Sequence, residues 1–117
     1  MWEPLGENQL AEMIAEAELL MNPVCRKLWG YIKITPRKWK QHPWGDEGGG
    51  FWVVAIIGGI CIYYNDIEEG FNTSSYKSFG EIDQYFCNKS DLLETINNLH
   101  RQVLDDIQGD TQQAIAL

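Results

Sequence analysis

The chain has 117 residues, 44% of them apolar, and a formal net charge of -8. That length supports one domain with a buried core, residues 1–117, and is too short for two ordinary ones. The acidic balance suits solubility and argues against nonspecific DNA binding, and the longest apolar run, Phe51 to Tyr64, has only 14 residues, too few for a membrane helix.

Residues 8–21, NQLAEMIAEAELLM, place Leu10, Met13, Ile14, Ala17 and Met21 on one helical stripe. Asn8 is expected to cap the first turn and Asn22-Pro23 to end the helix. Its charges, Glu12, Glu16 and Glu18, have no basic partner within the helix, so tertiary packing must hold it. From Val24, Leu28, Ile32 and Ile34 are read as alternating with Trp29, Tyr31 and Lys33, which predicts a strand with an aliphatic face and an aromatic, basic face, ended by Pro36. Residues 35–50, TPRKWKQHPWGDEGGG, show no periodicity and read as a long connection.

FWVVAII and ICIYYN, separated by Gly58-Gly59, predict a β-hairpin with a two-residue turn. Both faces of residues 51–57 are apolar, so this strand is expected to be central, with Trp52 buried on it. One face would be covered by the C-terminal helix and the other by helix 8–21 or by a second copy, which makes a homodimer a natural expectation. Residues 70–86 hold one or two short strands. Asp91 caps a last helix with Glu94 as its capping-box partner, and Leu92, Ile96, Leu99, Val103 and Ile107 form its apolar stripe. The tail, about 109–117, is expected to fray. The order α-β-β-β-(β)-α predicts an α+β domain with a single antiparallel sheet of three to five strands and a helix at each end.

Few residues suggest chemistry. Cys25, Cys61 and Cys87 form no C-x-x-C pair and no secretory leader reads before them, which predicts reduced thiols in a cytoplasmic protein. Asp66, Glu68 and Glu69 are hard oxygen ligands that Asp46 and Glu47 could join, but their spacing does not fit the calcium loop. The three Cys and two His show no zinc-ligand spacing, and neither His42 nor His100 is placed by the sequence to activate a thiol. Gly48-Gly49-Gly50 leads into a strand rather than a helix and follows two acids, which is wrong for a phosphate cradle. No metal, cofactor or catalytic residue is therefore assigned, although a small enzyme using the loop carboxylates stays an alternative.

Charge is distributed unevenly. Arg26, Lys27, Lys33, Arg37, Lys38 and Lys40 are six of the nine basic residues, and residues 26–40 contain no acid. Interleaved with Trp29, Tyr31 and Trp39, they make RNA binding an alternative, with Lys27, Trp29, Tyr31, Lys33, Arg37, Lys38 and Trp39 as its contacts. The plainer reading pairs this segment with the acidic helix 8–21 or the acidic turn 66–69.

The block PWGDEGGGFWVVAI…YYNDIEEGFN…Y…FGEIDQYFCN…DLLETI, residues 43–96, resembles small bacterial α+β proteins similar in build to immunity proteins that neutralise polymorphic toxins. The resemblance implies a binder more than an enzyme, and the expected function is a noncatalytic protein-binding module, with a basic toxin domain as the most concrete partner. Asp66, Glu68, Glu69, Asp46 and Glu47 would supply its charged rim, with Tyr63, Phe71 and Trp44 as aromatic anchors.

Overall fold

The computed structural model describes residues 3–102, so Val103, Ile107 and the 109–117 tail lie outside the described residues. It is an α+β domain. Helices α1 (Glu7–Leu20) and α2 (Pro23–Ile32) precede strands β1 (Lys33–Trp39), β2 (Phe51–Ile57), β3 (Ile60–Asn65) and β4 (Gly70–Ser75). A last helix, α3, occupies 92–102 of the described residues. The strands form one antiparallel sheet in the order β1-β2-β3-β4.

The predicted stripe of α1 faces the core: Leu10 is buried, as is Met21 just beyond the helix end, while Met13, Ile14 and Ala17 pack against the same cluster. Its start differs from expectation. Gly6 occupies the cap position and its N–H donates to Gln9 Oε1 at 3.1 Å, so Asn8 does not cap.

Residues 24–32 are helical, not a strand. Asn22-Pro23 closes α1 and also opens α2: Asn22 Oδ1 accepts from the Cys25 N–H at 2.8 Å, with Pro23 in the first turn, where its missing N–H costs nothing. Cys25, Leu28, Trp29 and Ile32 recur at helical spacing and turn inward, so Trp29 belongs to the core. The strand begins at Lys33 and runs through Pro36. Pro36 is tolerated because β1 is an edge strand whose register shifts between Lys33 and Arg37.

The hairpin forms as predicted, Ile57 facing Ile60 across Gly58-Gly59, with Gly58 at φ 54. β2 lies between β1 and β3 and is covered on both sides. Trp52, however, is only half-buried, and its indole N–H donates to the Leu5 carbonyl at 2.8 Å.

The two faces are covered differently from expectation. All three helices contribute to one cluster, where Leu10, Trp29 and Ile96 meet Val54, Ile62 and Phe71. The opposite face, with Trp39, Phe51, Val53, Cys61 and Tyr63, is covered by Ile82, Tyr76 and Tyr85 of the segment 76–90. This strap removes the reason to expect a second copy there. It starts at the β2–β3 turn, where the Tyr76 N–H donates to the Gly59 carbonyl at 2.9 Å, passes the end of β1, where the Ile82 N–H donates to the Lys40 carbonyl at 2.8 Å, and ends along the outer edge of β4, where the Phe71 N–H donates to the Ser90 carbonyl at 2.8 Å. Of the one or two strands expected in 70–86, only β4 forms among the described residues.

Polar groups hold the strap. The Tyr63 hydroxyl accepts from the Phe86 N–H at 2.7 Å and donates toward the Phe86 and Gln84 carbonyls, 3.2 and 3.4 Å away. Asn72 exchanges two bonds with the Asn88 backbone, both at 3.1 Å. At Gly70 the strap comes so close that a Cβ would lie 2.1 Å from the Asn88 carbonyl oxygen. Removing the hydroxyl of fully buried Tyr63 takes away the partner of the Phe86 N–H at a partly buried site, so Tyr63→Phe should cost about 1–3 kcal/mol in urea denaturation. The same change at exposed Tyr31 should leave the midpoint within experimental error, and equal effects at the two sites would refute the strap's dependence on Tyr63.

Candidate functional site

The three acids of the 66–69 turn take three different places. Asn65, fully buried, shapes the turn by accepting from the Ile67 and Glu68 N–H groups at 3.1 and 3.2 Å. Asp66 turns inward: its Oδ2 accepts from the Leu5 N–H at 2.8 Å and so pins the segment before α1. Glu68 is half-buried. Glu69 is exposed, and its backbone lies at φ 59, a left-handed conformation that a residue with a Cβ adopts at a cost.

Glu69 opens onto a groove of about 310 Å³ on the helix-covered side of the molecule. One wall is α1, which contributes Met13, Glu16, Ala17 and Leu20 at i, i+3, i+4 and i+7. The facing wall is the start of α3, with Asp91 and Leu93, whose first turn is capped by Asp91 Oδ1 accepting from the Glu94 N–H at 2.7 Å. Buried Tyr64 and Phe71, rings 4.9 Å apart, form the floor. Burial, then the carboxylates of Glu69 and Asp66, hold the Tyr64 hydroxyl above its usual range. The groove is thus apolar below and carboxylate-rich at its lip, with Glu16, Glu69 and Asp91 against Lys89.

The remaining predicted contacts divide. Tyr63 and Phe71 are not surface anchors: Tyr63 serves the strap, and Phe71 is buried beneath the groove. Trp44 is exposed and stacks on Tyr85 at 5.0 Å, on the strap side of the sheet, while Asp46 approaches His42 Nδ1 at 2.7 Å and Glu47 is exposed.

The basic segment is also dispersed. Trp29 and Trp39 are each only 2% exposed and cannot stack a base. Lys33 pairs with Glu18 at 3.4 Å, the Trp29 indole N–H donates to the same carboxylate at 3.1 Å, and Arg26 donates to the Glu18 carbonyl at 2.8 Å. Lys38 donates to the Gly48 carbonyl at 2.6 Å with its ammonium 5.3 Å from the centre of the Trp52 ring. Of the seven proposed contacts, Lys27, Tyr31 and Arg37 remain exposed without such engagements. The pairing of this segment with the acidic N-terminal helix holds at Glu18.

Among the described residues, no three His, Cys, Asp or Glu side chains gather where they could hold a metal ion. Burial pushes the Cys61 thiol up to about 11, so it stays protonated near neutral pH as a small core side chain. Also among the described residues, no helix is long and apolar enough to cross a membrane.

As groove walls, Met13, Ala17, Leu20 and Leu93 are not marked by the sequence, which places Met13 and Ala17 on the core stripe of α1. A signal existed: Leu19 and Leu20 fall outside the core stripe of α1 and are 81% and 73% exposed.

Burial raises the Asp66 carboxyl above its usual range, against the lowering influence of the Leu5 N–H and of Lys38. Since its folded pKa exceeds its unfolded one, the folded state takes up the proton first. Asp66 therefore adds stability as pH falls through that window and loses it as pH rises. Urea midpoints of wild type and Asp66→Asn, compared from neutral pH down to the unfolded carboxylate value of about 4, should show wild type gaining relative to the variant. A difference that does not change with pH, or changes in the opposite sense, would contradict this placement.

Comparison of the chain with known protein families, curated proteins and solved structures finds no match.

Proposed function

We propose that the chain is a noncatalytic protein-binding module that engages a cationic partner through the surface made by α1, the 66–69 turn and the start of α3. One observation carries this reading: the apolar groove is bordered by carboxylates that the protein itself leaves unneutralised. Glu16, Glu69 and Asp91, which line it, have no ion-pair partner among the described residues, whereas Lys33 and Arg26 are drawn to Glu18 and Lys38 to the Gly48 carbonyl. Complementary charge of this kind speeds encounter and excludes wrong partners, while the apolar floor supplies contact area. The resemblance of residues 43–96 to immunity-type proteins supports a basic toxin domain as the partner. RNA binding loses its main support with the burial of Trp29 and Trp39.

The double reversal Glu68→Lys with Glu69→Lys tests this. Folding should change by no more than about 1 kcal/mol, because largely solvated charges contribute little to stability. In bacteria expressing a panel of basic toxin domains, rescue of growth by the wild-type chain should be lost with the double variant. The purified complex should weaken as salt is raised. A double variant that protects as well as wild type, or a complex indifferent to salt, would count against the acidic surface as the contact.

A further inference from the structure

We infer that the groove between α1 and α3 receives a basic amphipathic helix of the partner protein, an inference that rests on the protein-binding reading above. Three features of the groove lead to this occupant. The first is shape. Met13, Glu16, Ala17 and Leu20 form a stripe two turns long on α1, about 10 Å at 1.5 Å per residue, and the start of α3 faces it. A third helix laid between two helices meets that stripe with aliphatic side chains at its own i, i+3, i+4 and i+7 positions.

The second feature is the absence of a free strand edge in the groove. β4 is the strand at this side of the sheet, and its edge is closed where the Phe71 N–H donates to the Ser90 carbonyl at 2.8 Å. An extended peptide could not add to the sheet there, so its backbone groups would be left unpaired against Tyr64, Phe71 and Leu93. A helix arrives with those bonds already made.

The third feature is charge. The lip carries Glu16 on the α1 side and Glu69 and Asp91 on the other, against Lys89, and α1 itself contains Glu7, Glu12, Glu16 and Glu18 with no basic residue. Carboxylates flank the apolar floor on both sides, which matches a helix whose aliphatic stripe is bordered by Lys or Arg on both flanks. The same lip repels an acidic helix, including α1 of a second copy. Leu20, the last residue of α1, is 73% exposed and leaves the groove open at that end to a longer helix. The left-handed φ of Glu69 is consistent with this use, because a strained backbone is kept where the side chain serves a contact.

The test uses the full chain and two peptides of about 18 residues, long enough to form a helix. One has leucines at helical spacing bordered by lysine and arginine, and the other has the same composition in scrambled order. Titrated against the isotope-labelled protein, the amphipathic peptide should bind about tenfold or more tightly than the scrambled one, with amide shifts at residues 13–20, 69–71 and 89–93. Ala17→Trp, which fills the groove from α1, should abolish that preference while the circular dichroism spectrum is kept. Should that variant fail to fold, exposed Glu16→Lys serves instead and should weaken the amphipathic peptide several-fold in a salt-dependent way.

Equal binding of the two peptides, both weakened by Glu68→Lys with Glu69→Lys, would overturn the helix-in-groove inference and leave the acidic protein-binding surface standing. Binding of neither peptide would overturn the inference. Groove shifts that follow dilution of the protein rather than addition of peptide would identify a second copy as the occupant and overturn it as well. Shifts confined to the 40–50 loop would place the contact on the strap side and do the same.

Discussion

A central strand that is apolar on both faces has to be covered on both, and this chain has helix enough for only one. β2 and β3 impose that constraint, and the rest of the architecture answers it. Three helices converge on one side. On the other, a segment without regular structure lies across Trp39, Phe51, Cys61 and Tyr63 and is fastened chiefly by side-chain amides and a phenol. An irregular cover brings unpaired backbone groups close to an apolar face, and each must find a partner. Tyr63, Asn65, Asn72 and Ser74 project from β3 and β4 to meet that need. The polar residues buried in these strands are therefore structural, and a buried tyrosine hydroxyl here signals packing rather than chemistry.

Local physics determined what was legible in advance. The hairpin could be read because Gly58-Gly59 interrupts two strongly apolar runs, and α3 because its cap and stripe agree with each other. α2 is hidden for an instructive reason. Asn-Pro is a stop signal for the preceding helix and a start signal for the next, and at Asn22-Pro23 both meanings apply. The spacing Cys25, Leu28, Trp29, Ile32 carried the correct period, but the density of aromatic and β-branched residues outweighed it. The strap was not legible because residues 76–90 have no period and are ordered by partners far away in sequence. The candidate site was partly visible: Glu68 and Glu69 drew notice as acids, but no linear pattern joins Met13, Tyr64 and Leu93. A groove between elements separated by most of the chain is a property of topology.

The same topology sorts the charges. The basic segment that looked like an interface is folded inward at several points: onto Glu18 at the end of α1, and onto a backbone carbonyl and the Trp52 ring at Lys38. Lys and Arg stems cover apolar surface as well as carrying charge, so some of this basic character serves packing. What remains outward on α1 and the 66–69 turn is acidic, and the net charge of -8 is thus expressed as a surface field on the helix side as well as a global balance.

The Asn65 side chain has a further consequence. Its oxygen accepts from the Ile67 and Glu68 amides of the turn, while its nitrogen donates to the Phe86 carbonyl of the strap at 2.9 Å. One buried amide group therefore ties the turn to the strap. Neither can open without disturbing the other, so turn and strap constitute one cooperative unit in local unfolding. The amides of Ile67 and Glu68 therefore exchange with solvent at a common rate, set by the release of Asn65. A ligand that immobilises the turn would, through the same amide, slow the breathing of a strap it never touches.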